Sequence, residues 1–355
     1  MGFTIAHLLM SAAAVAGGYL AYLIGIPMPF LIGGVIGSAI FVVSYEKAER
    51  QLGKLPPYLR PAAIAATGAM IGSKVTPGLL SVLPSFWISA VAILPFVLLA
   101  HAGSYAMLRY VGKYNVTDAY FAAMPGGLVE VLLLGEKAGA DTRVLTVQHF
   151  IRVLSVVVVV PLLFYLVTGE VVGSAADTDS TVQARQYGFS DIALIMILAI
   201  AGLYLGRKLG IPAGHLMGPL TLAVIVSLTG LADIVVPEWL LHTAQLIVGT
   251  TLGAQFSGIS RLMLRRCFKM GVITVTYMLV LGFVFASLLA PLVPADVSAM
   301  FVSFAAGGLA EMSLIALSLD LSPMIVALHH LIRIFLTIYV GNQIFQRFLA
   351  IPKNK

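Results

Sequence analysis

The stretch Pro125-Gly126-Gly127-Leu128-Val129-Glu130, followed by His149-Phe150-Ile151-Arg152, decides how this chain is built. Both blocks return 181 positions later, as Ala306-Gly307-Gly308-Leu309-Ala310-Glu311 and His330-Leu331-Ile332-Arg333. Apolar segments match by chance in Leu, Val and Ala. A Glu, a His and an Arg that recur at one offset mark an internal repeat. Two shorter pairs recur as well, at offsets of 185 and 181. Gly25-Ile26-Pro27 returns as Gly210-Ile211-Pro212, and Gly68-Ala69-Met70-Ile71-Gly72 returns as Gly249-Thr250-Thr251-Leu252-Gly253. The chain therefore reads as two copies of one unit, 1–168 and 189–355, joined by a linker at 169–188.

Composition says where these copies reside. Of 355 residues, 60% are hydrophobic and 10% charged, against about a quarter charged in a soluble domain. This excludes a disordered chain, a disulfide scaffold, a coiled coil and an ordinary cytosolic enzyme. It leaves an all-α polytopic membrane protein. Cys267 is the single cysteine, so disulfide frameworks and cysteine-rich metal sites are out. The net charge of +6 reads as basic cytoplasmic loops rather than nucleic-acid binding. The N-terminal apolar stretch has no basic leader and reads as a retained first span.

Each half holds five long apolar segments, at 3–24, 27–44, 61–83, 87–108 and 143–168, then at 189–206, 211–230, 239–260, 270–291 and 324–349. Each also holds a shorter, Gly-interrupted piece, at 118–138 and 298–320. Lys and Arg collect on the cytoplasmic side, and here their placement flips between the halves. Lys47, Arg50, Lys54 and Arg60 follow the second segment, whereas its counterpart carries Asp233 and Glu238. Lys74 alone follows the third, whereas its counterpart carries Arg261, Arg265, Arg266 and Lys269. Arg109 and Lys113 follow the fourth, and the matching loop near Pro294 and Asp296 has neither Lys nor Arg.

The second copy is thus expected to be inverted, which demands an odd number of crossings per copy. The shorter piece is the one that fails to cross. Its two arms of about 10 residues, roughly 15 Å of helix each, make a re-entrant hairpin whose Gly-Gly tip lies near the midplane. The expected fold is ten spans plus two re-entrant hairpins in two inverted repeats. Both termini are cytoplasmic, and the linker with Glu170, Asp177 and Asp179 is outside. The rival is twelve full crossings with parallel repeats.

Ionisable residues within the membrane are costly and usually face a bundle interior or a wet cavity. Counting from the start of its span, Arg152 lies about 13–14 Å deep and Arg333 about 15 Å. His149 and Arg152 share a helix face, as do His330 and Arg333. Glu130 and Glu311 sit three residues past the Gly-Gly tips. Glu130–Arg152 and Glu311–Arg333 pairs, or shared networks, are expected. Gly126, Gly127, Gly307 and Gly308 offer backbone ligands at the breaks, as in inverted-repeat transporters. The Arg side chains suit a carboxylate, and Glu or His can carry a proton or help bind a cation. The competing reading is that each pair only locks its hairpin to the neighbouring span. The sequence contains no nucleotide-binding or hydrolase motif; no enzyme activity, cofactor or metal is expected.

The duplicated Pro-Gly-Gly-Leu-x-Glu run with its downstream His-x-x-Arg resembles the AbrB family of bacterial membrane proteins, also labelled ammonia monooxygenase or AbrB duplication proteins. The resemblance covers essentially the whole chain; Ala306 stands where the first copy has Pro125. It implies a multi-pass inner-membrane protein with two copies of one repeat and a role attached to regulation of gene expression. It also implies distant kinship with the cation/proton antiporter and anion transporter superfamily. The soluble DNA-binding proteins called AbrB are unrelated, and no residues suit a monooxygenase metal site. The expected function is a secondary transporter of a small solute, such as an organic anion, coupled to a proton or sodium gradient. The alternative is a membrane-bound regulator or sensor without net transport. The expected partners are the solute, the ion and the lipid bilayer, with no nucleic acid; a homodimer is one assembly the sequence allows.

Overall fold

The computed structural model describes residues 4–47, 55–168, 187–211, 213–345 and 347. Among them are fifteen α-helices and no strand. In the first half these are α1 (Ile5–Leu23), α2 (Pro29–Lys47), α3 (Leu59–Ser73), α4 (Pro77–Val82), α5 (Trp87–Ala106), α6 (Val116–Ala123), α7 (Leu128–Lys137) and α8 (Thr142–Thr168). In the second half they are α9 (Phe189–Lys208), α10 (Gly214–Leu228), α11 (Glu238–Gly253), α12 (Arg261–Leu289), α13 (Val297–Phe304), α14 (Leu309–Ser318) and α15 (Pro323–Ile344). The expected linker, 169–188, lies outside the described residues apart from Tyr187 and Gly188.

Six segments are long and apolar enough to cross a bilayer: Ile5–Leu23, Leu83–Val111, Thr142–Val167, Phe189–Lys208, Leu262–Leu292 and Pro323–Gly341. Their exposed faces are the reverse of a soluble protein's. α1 buries Met10, Ala14, Gly18 and Ala21 along one stripe and exposes Leu8, Leu9, Tyr19, Leu20 and Leu23. Past Met10 the inward stripe is made of small residues and large apolar ones face outward, as close helix packing in lipid favours. This is an all-helical, membrane-type protein.

Helix ends follow local chemistry. Thr4 caps α1 in a reciprocal box with His7, and Asn115, Ser260 and Asp296 cap α6, α12 and α13 through their side chains. Some boundaries differ from the hydropathy reading. The apolar run 61–83 is broken, because α3 stops at Ser73 and α4 starts at Pro77. A residue before proline is pushed out of the helical region, and proline suits a first helical position. α11 ends at Gly253, ahead of the expected 260. α12 begins at Arg261, nine residues ahead of the expected start, so the Arg265-Arg266 stretch is helical.

The chain forms two compact units, each drawing on both sequence halves. One comprises 1–82, 158–258 and 313–324; the other comprises 83–157, 259–312 and 325–355. In the first unit, α1 packs on α2 and α9 on α10. A Cβ at Gly33 would fall on Gly17 backbone, and one at Gly218 on Gly202 backbone. α3 then packs on α10, and α11 on α2. Gly68 lies against the Leu216 carbonyl, and Gly249 against that of Leu31; Gly72 meets Leu220, and Gly253 meets Val35. The glycines of each half thus seat on a helix of the other half, in exchanged fashion. The second unit holds both short helix pairs, α6–α7 and α13–α14 up to Met312, together with α5, α12, α15 from Ile325 and α8 up to Val157.

Candidate functional site

The second unit contains two helix breaks. α6 stops at Ala123, and Met124 turns extended, with φ −60° and ψ 121°, as a residue before Pro125 must. α13 stops at Phe304, and Ala305 adopts φ −60° and ψ 128°, although Ala306 follows it. The two breaks therefore share one geometry with and without proline. Beyond them, α7 and α14 restart in the same way: the Val131 N–H donates to Gly127 O at 3.1 Å, and the Met312 N–H to Gly308 O at 2.9 Å. In the first pair the two outer ends are also bonded to each other. The Asp141 N–H, just past α7, donates to the Asp118 carboxylate in the first turn of α6 at 2.8 Å.

A helix end leaves carbonyls without intrahelical partners. Here two buried side chains per break take them up. The His149 Nε2 meets Phe121 O at 3.1 Å, and the His330 Nε2 meets Val302 O at 3.0 Å. Arg152 donates from Nη1 to Met124 O at 2.5 Å and from Nη2 to Gly126 O at 2.9 Å. Arg333 donates from Nη1 to Ala305 O and from Nη2 to Gly307 O, both at 2.7 Å. Every acceptor in the second set lies 181 positions after its counterpart in the first. Each guanidinium sits at the negative end of a half-helix dipole, where a cation is favoured. All four side chains are buried.

The acceptor requirement fixes a tautomer. Arg333 Nη2 contacts His330 Nδ1 at 3.2 Å, and a guanidinium can only donate. Nδ1 therefore accepts, Nε2 carries the proton, and His330 is a neutral bridge between Arg333 and the Val302 carbonyl. The His149 Nε2 likewise donates to a carbonyl, while its Nδ1 has no partner among the described residues.

The guanidinium groups take up acceptors that the expected carboxylate pairs or networks did not include. The Nη groups of both donate to backbone carbonyls at the breaks, because the breaks themselves supply strong buried acceptors. Glu311, the third residue of α14, is buried, and its carboxylate lies against Gly308 at the start of that helix. An acid there complements the positive helix end. Glu130 is the third residue of α7, and its side chain lies outside what is described. Gly127 is the N-cap of α7.

The two breaks are exchanged between halves. Gly126 lies against Thr337 on α15, with 2.9 Å between an ideal Cβ and the threonine methyl; Gly307 lies against Val156 on α8, at 3.1 Å from its Cγ1. Thr337 and Val156 each stand one turn past an arginine. Arg152 Nε, Arg333 Nε and Thr337 Oγ1 are buried without partners among the described residues.

Sequence reasoning missed several supports. His101 on α5 meets Tyr120 O at 3.0 Å, and the Tyr120 hydroxyl donates to Gly341 O at 2.7 Å. The His329 Nε2 meets the Ser89 hydroxyl at 2.9 Å. The Tyr114 hydroxyl donates to Gln148 Oε1 at 3.3 Å and faces Cys267 Sγ at 3.5 Å, under the Arg266 guanidinium at 4.6 Å. A buried His in an apolar run was the available signal for His101. For Thr337 it was the offset itself, which sets a hydroxyl against the methyl of Val156.

Comparison with known proteins adds the family. Residues 35–349 match the family model AbrB, described as "Transition state regulatory protein AbrB". The chain belongs to the AbrB family. It is 26% identical over 349 residues to a Bacillus subtilis (strain 168) protein named "Uncharacterized protein YhjN", covering 92% of this chain and 89% of that one. It is 27% identical over 240 residues to an Escherichia coli (strain K12) protein named "Putative regulator AbrB", covering 67% of this chain and 66% of that one. Both helix breaks and both arginine helices lie within the span matched to the AbrB family.

Proposed function

We propose that this AbrB-family protein is a secondary transporter of a small organic anion, driven by a proton or sodium gradient. The observation that carries this reading is the pair of exchanged helix breaks with a buried guanidinium on each. Broken helices at membrane depth are tolerated where they line a cavity, and in transporters such breaks bind substrate and ions near the midplane. Here the cation seats at the broken ends are already filled by Arg152 and Arg333. The remaining unpartnered donors and the two positive charges favour an anion over a metal cation. Glu311 and Glu130, at the opposite helix ends, are the candidates for carrying a coupled proton.

The topology that goes with this reading has ten spans, two re-entrant hairpins and inverted repeats 1–168 and 189–355, with both termini cytoplasmic in the inner membrane. The return of Asp141 to Asp118 and the exchanged glycine contacts support it. A homodimer is compatible with it. The test is solute flux into proteoliposomes under imposed pH and sodium gradients. Flux that is lost in Arg152→Ala and Glu130→Gln supports the assignment; flux unchanged in folded variants sinks it. One observation favours a second reading: the Escherichia coli relative is named a regulator. A membrane sensor using the same pocket would bind the anion and alter a partner's activity with no flux.

A further inference from the structure

His329 adjoins His330 in the chain but takes no carbonyl at either break. It is 3% exposed, and Ser89 beside it is 0% exposed. A chain of three hydrogen bonds runs through the two. His329 Nδ1 stands 2.8 Å from Ile325 O, His329 Nε2 stands 2.9 Å from Ser89 Oγ, and the Ser89 hydroxyl donates to Phe86 O at 2.9 Å. Both ends of this chain are carbonyls, which only accept. Three bonds between two such ends need three protons. Ser89 brings one, and a neutral imidazole brings one. One bond therefore lacks its proton unless the imidazole carries two. The rings of Phe86 and Phe304 flank the imidazole, with centroids 6.3 and 6.1 Å away. In such apolar surroundings a hydrogen bond left unmade is costly.

We infer that His329 is a proton-binding site and that the proton is the coupled ion. In the neutral state Nδ1–H donates to Ile325 O, and the Ser89 hydroxyl turns away from Phe86 O to donate to Nε2. A proton taken from water binds at Nε2, which then donates to Ser89 Oγ, and the hydroxyl turns back to Phe86 O. All three bonds are made only in the charged state. The internal repeat holds this arrangement once. His329, Ser89 and Phe86 correspond to Gln148, Met270 and Cys267 at the offset of 181. Gln148 does not titrate, and its Oε1 accepts from the Tyr114 hydroxyl at 3.3 Å. The charge nearest to His329 on its own helix is Arg333, with neutral His330 bonded to it at 3.2 Å. Of the elements that meet the ring, α5 carries only His101, towards its far end, and α13 carries no titratable side chain. The α13 cap, Asp296, stands at the opposite end of that helix from Phe304. His329 and Arg333 are i and i+4, so an imidazolium and the guanidinium repel across one turn. A bound carboxylate offsets both charges. Proton and anion thus strengthen each other's binding, which makes the transport a symport.

The coupling role rests on the anion-transporter reading above; the proton site is tested apart from it. Full-length protein in proteoliposomes, labelled with nitrogen-15 histidine and assigned with His329→Gln, is titrated from about pH 8 to about pH 5. His329 is expected to pass from one protonated nitrogen to two. In Ser89→Ala the acceptor for Nε2–H is gone, and proton binding at His329 is expected to weaken about tenfold or more. A His329 that keeps one bare nitrogen throughout, or that titrates alike in wild type and Ser89→Ala, overturns the proton site. Uptake of radiolabelled succinate and citrate is then compared with and without an acid-outside gradient, at clamped membrane potential. The gradient is expected to stimulate uptake by wild type, and the stimulation to be lost in His329→Gln. Equal stimulation in both overturns coupling through His329 and leaves the transporter standing. Wild type that takes up neither carboxylate overturns the transporter reading, and the titration still decides the proton site. If His329→Gln fails to fold, the comparison passes to Ser89→Ala, whose stimulation is expected only at a more acidic external pH; stimulation at the wild-type pH overturns the coupling.

Discussion

Arg333 and Gly307 are joined by a 2.7 Å bond from Nη2 to the carbonyl at the second helix break, and Arg152 and Gly126 by its counterpart at 2.9 Å. In both places a side chain from a long helix finishes the hydrogen bonding of a short one. Without the guanidinium, two buried carbonyls lose their donors. Each unsatisfied group costs about 1–3 kcal/mol, so Arg152→Ala is expected to lose about 2–6 kcal/mol of stability. Arg333→Ala also removes the contact to His330 and is expected to lose more. Lysine in either place keeps the charge but reaches the two carbonyls as a point rather than a fork, and falls between. Melting temperatures of the purified variants check the order. An alanine variant as stable as wild type would contradict the capping role.

His330 is held as the neutral Nε2–H tautomer, since the group on its other nitrogen can only donate. Nitrogen-15 NMR of histidine-labelled protein, assigned with His330→Gln, is expected to show a protonated Nε2 and a bare Nδ1. A protonated Nδ1 would place two donors face to face and rule out the arrangement. His330→Leu leaves the Val302 carbonyl without its partner and is expected to destabilise by about 1–3 kcal/mol.

The sequence made the break and its arginine legible because both depend on local chemistry: Gly-Gly after Pro or Ala, and a charge at a fixed offset. The carbonyls that the arginines take up were not legible, because helix ends expose acceptors whose presence no residue letter records. Segment edges failed for a related reason. The hydropathy of 61–83 is continuous, and only Thr76-Pro77 marks where α3 gives way to α4. Hydropathy likewise placed the start of α12 after its basic turn, whereas the Ser260 cap begins the helix ahead of it. The packing units were beyond reach, because α3 seats on α10 and α11 on α2 through contacts that link the halves.

Those seats set a steric test. A Cβ at Gly218 would collide with the Gly202 carbonyl and Gly206 backbone, neither of which can rotate away. Gly218→Ala is expected to cost about 1–3 kcal/mol or more. Gly230 has φ +66° and nothing within 4 Å of an added Cβ. Gly230→Ala meets only the left-handed backbone penalty, about 1–2 kcal/mol. Thermal denaturation should place Gly218→Ala below Gly230→Ala, and the reverse order would deny the close approach of α9 and α10.

The topology is open to direct measurement. Asp141 donates its N–H to the Asp118 carboxylate, as the hairpin reading expects of a chain that leaves the first short helix pair on the side it entered. In a Cys267→Ser background, cysteines at the exposed positions Lys113 and Arg143 flank that pair. Both are expected to react with an impermeant thiol reagent from the cytoplasmic side, in inverted vesicles. Cysteines at Pro294 and Asp320, exposed on either side of the second pair, are expected to react only from the outer face, in intact spheroplasts. Labelling of 113 and 143 from opposite faces would make the segment a full crossing and end the hairpin reading. Labelling of all four positions from one face would preserve the hairpins and end the inversion, because a parallel repeat presents both pairs to the same side.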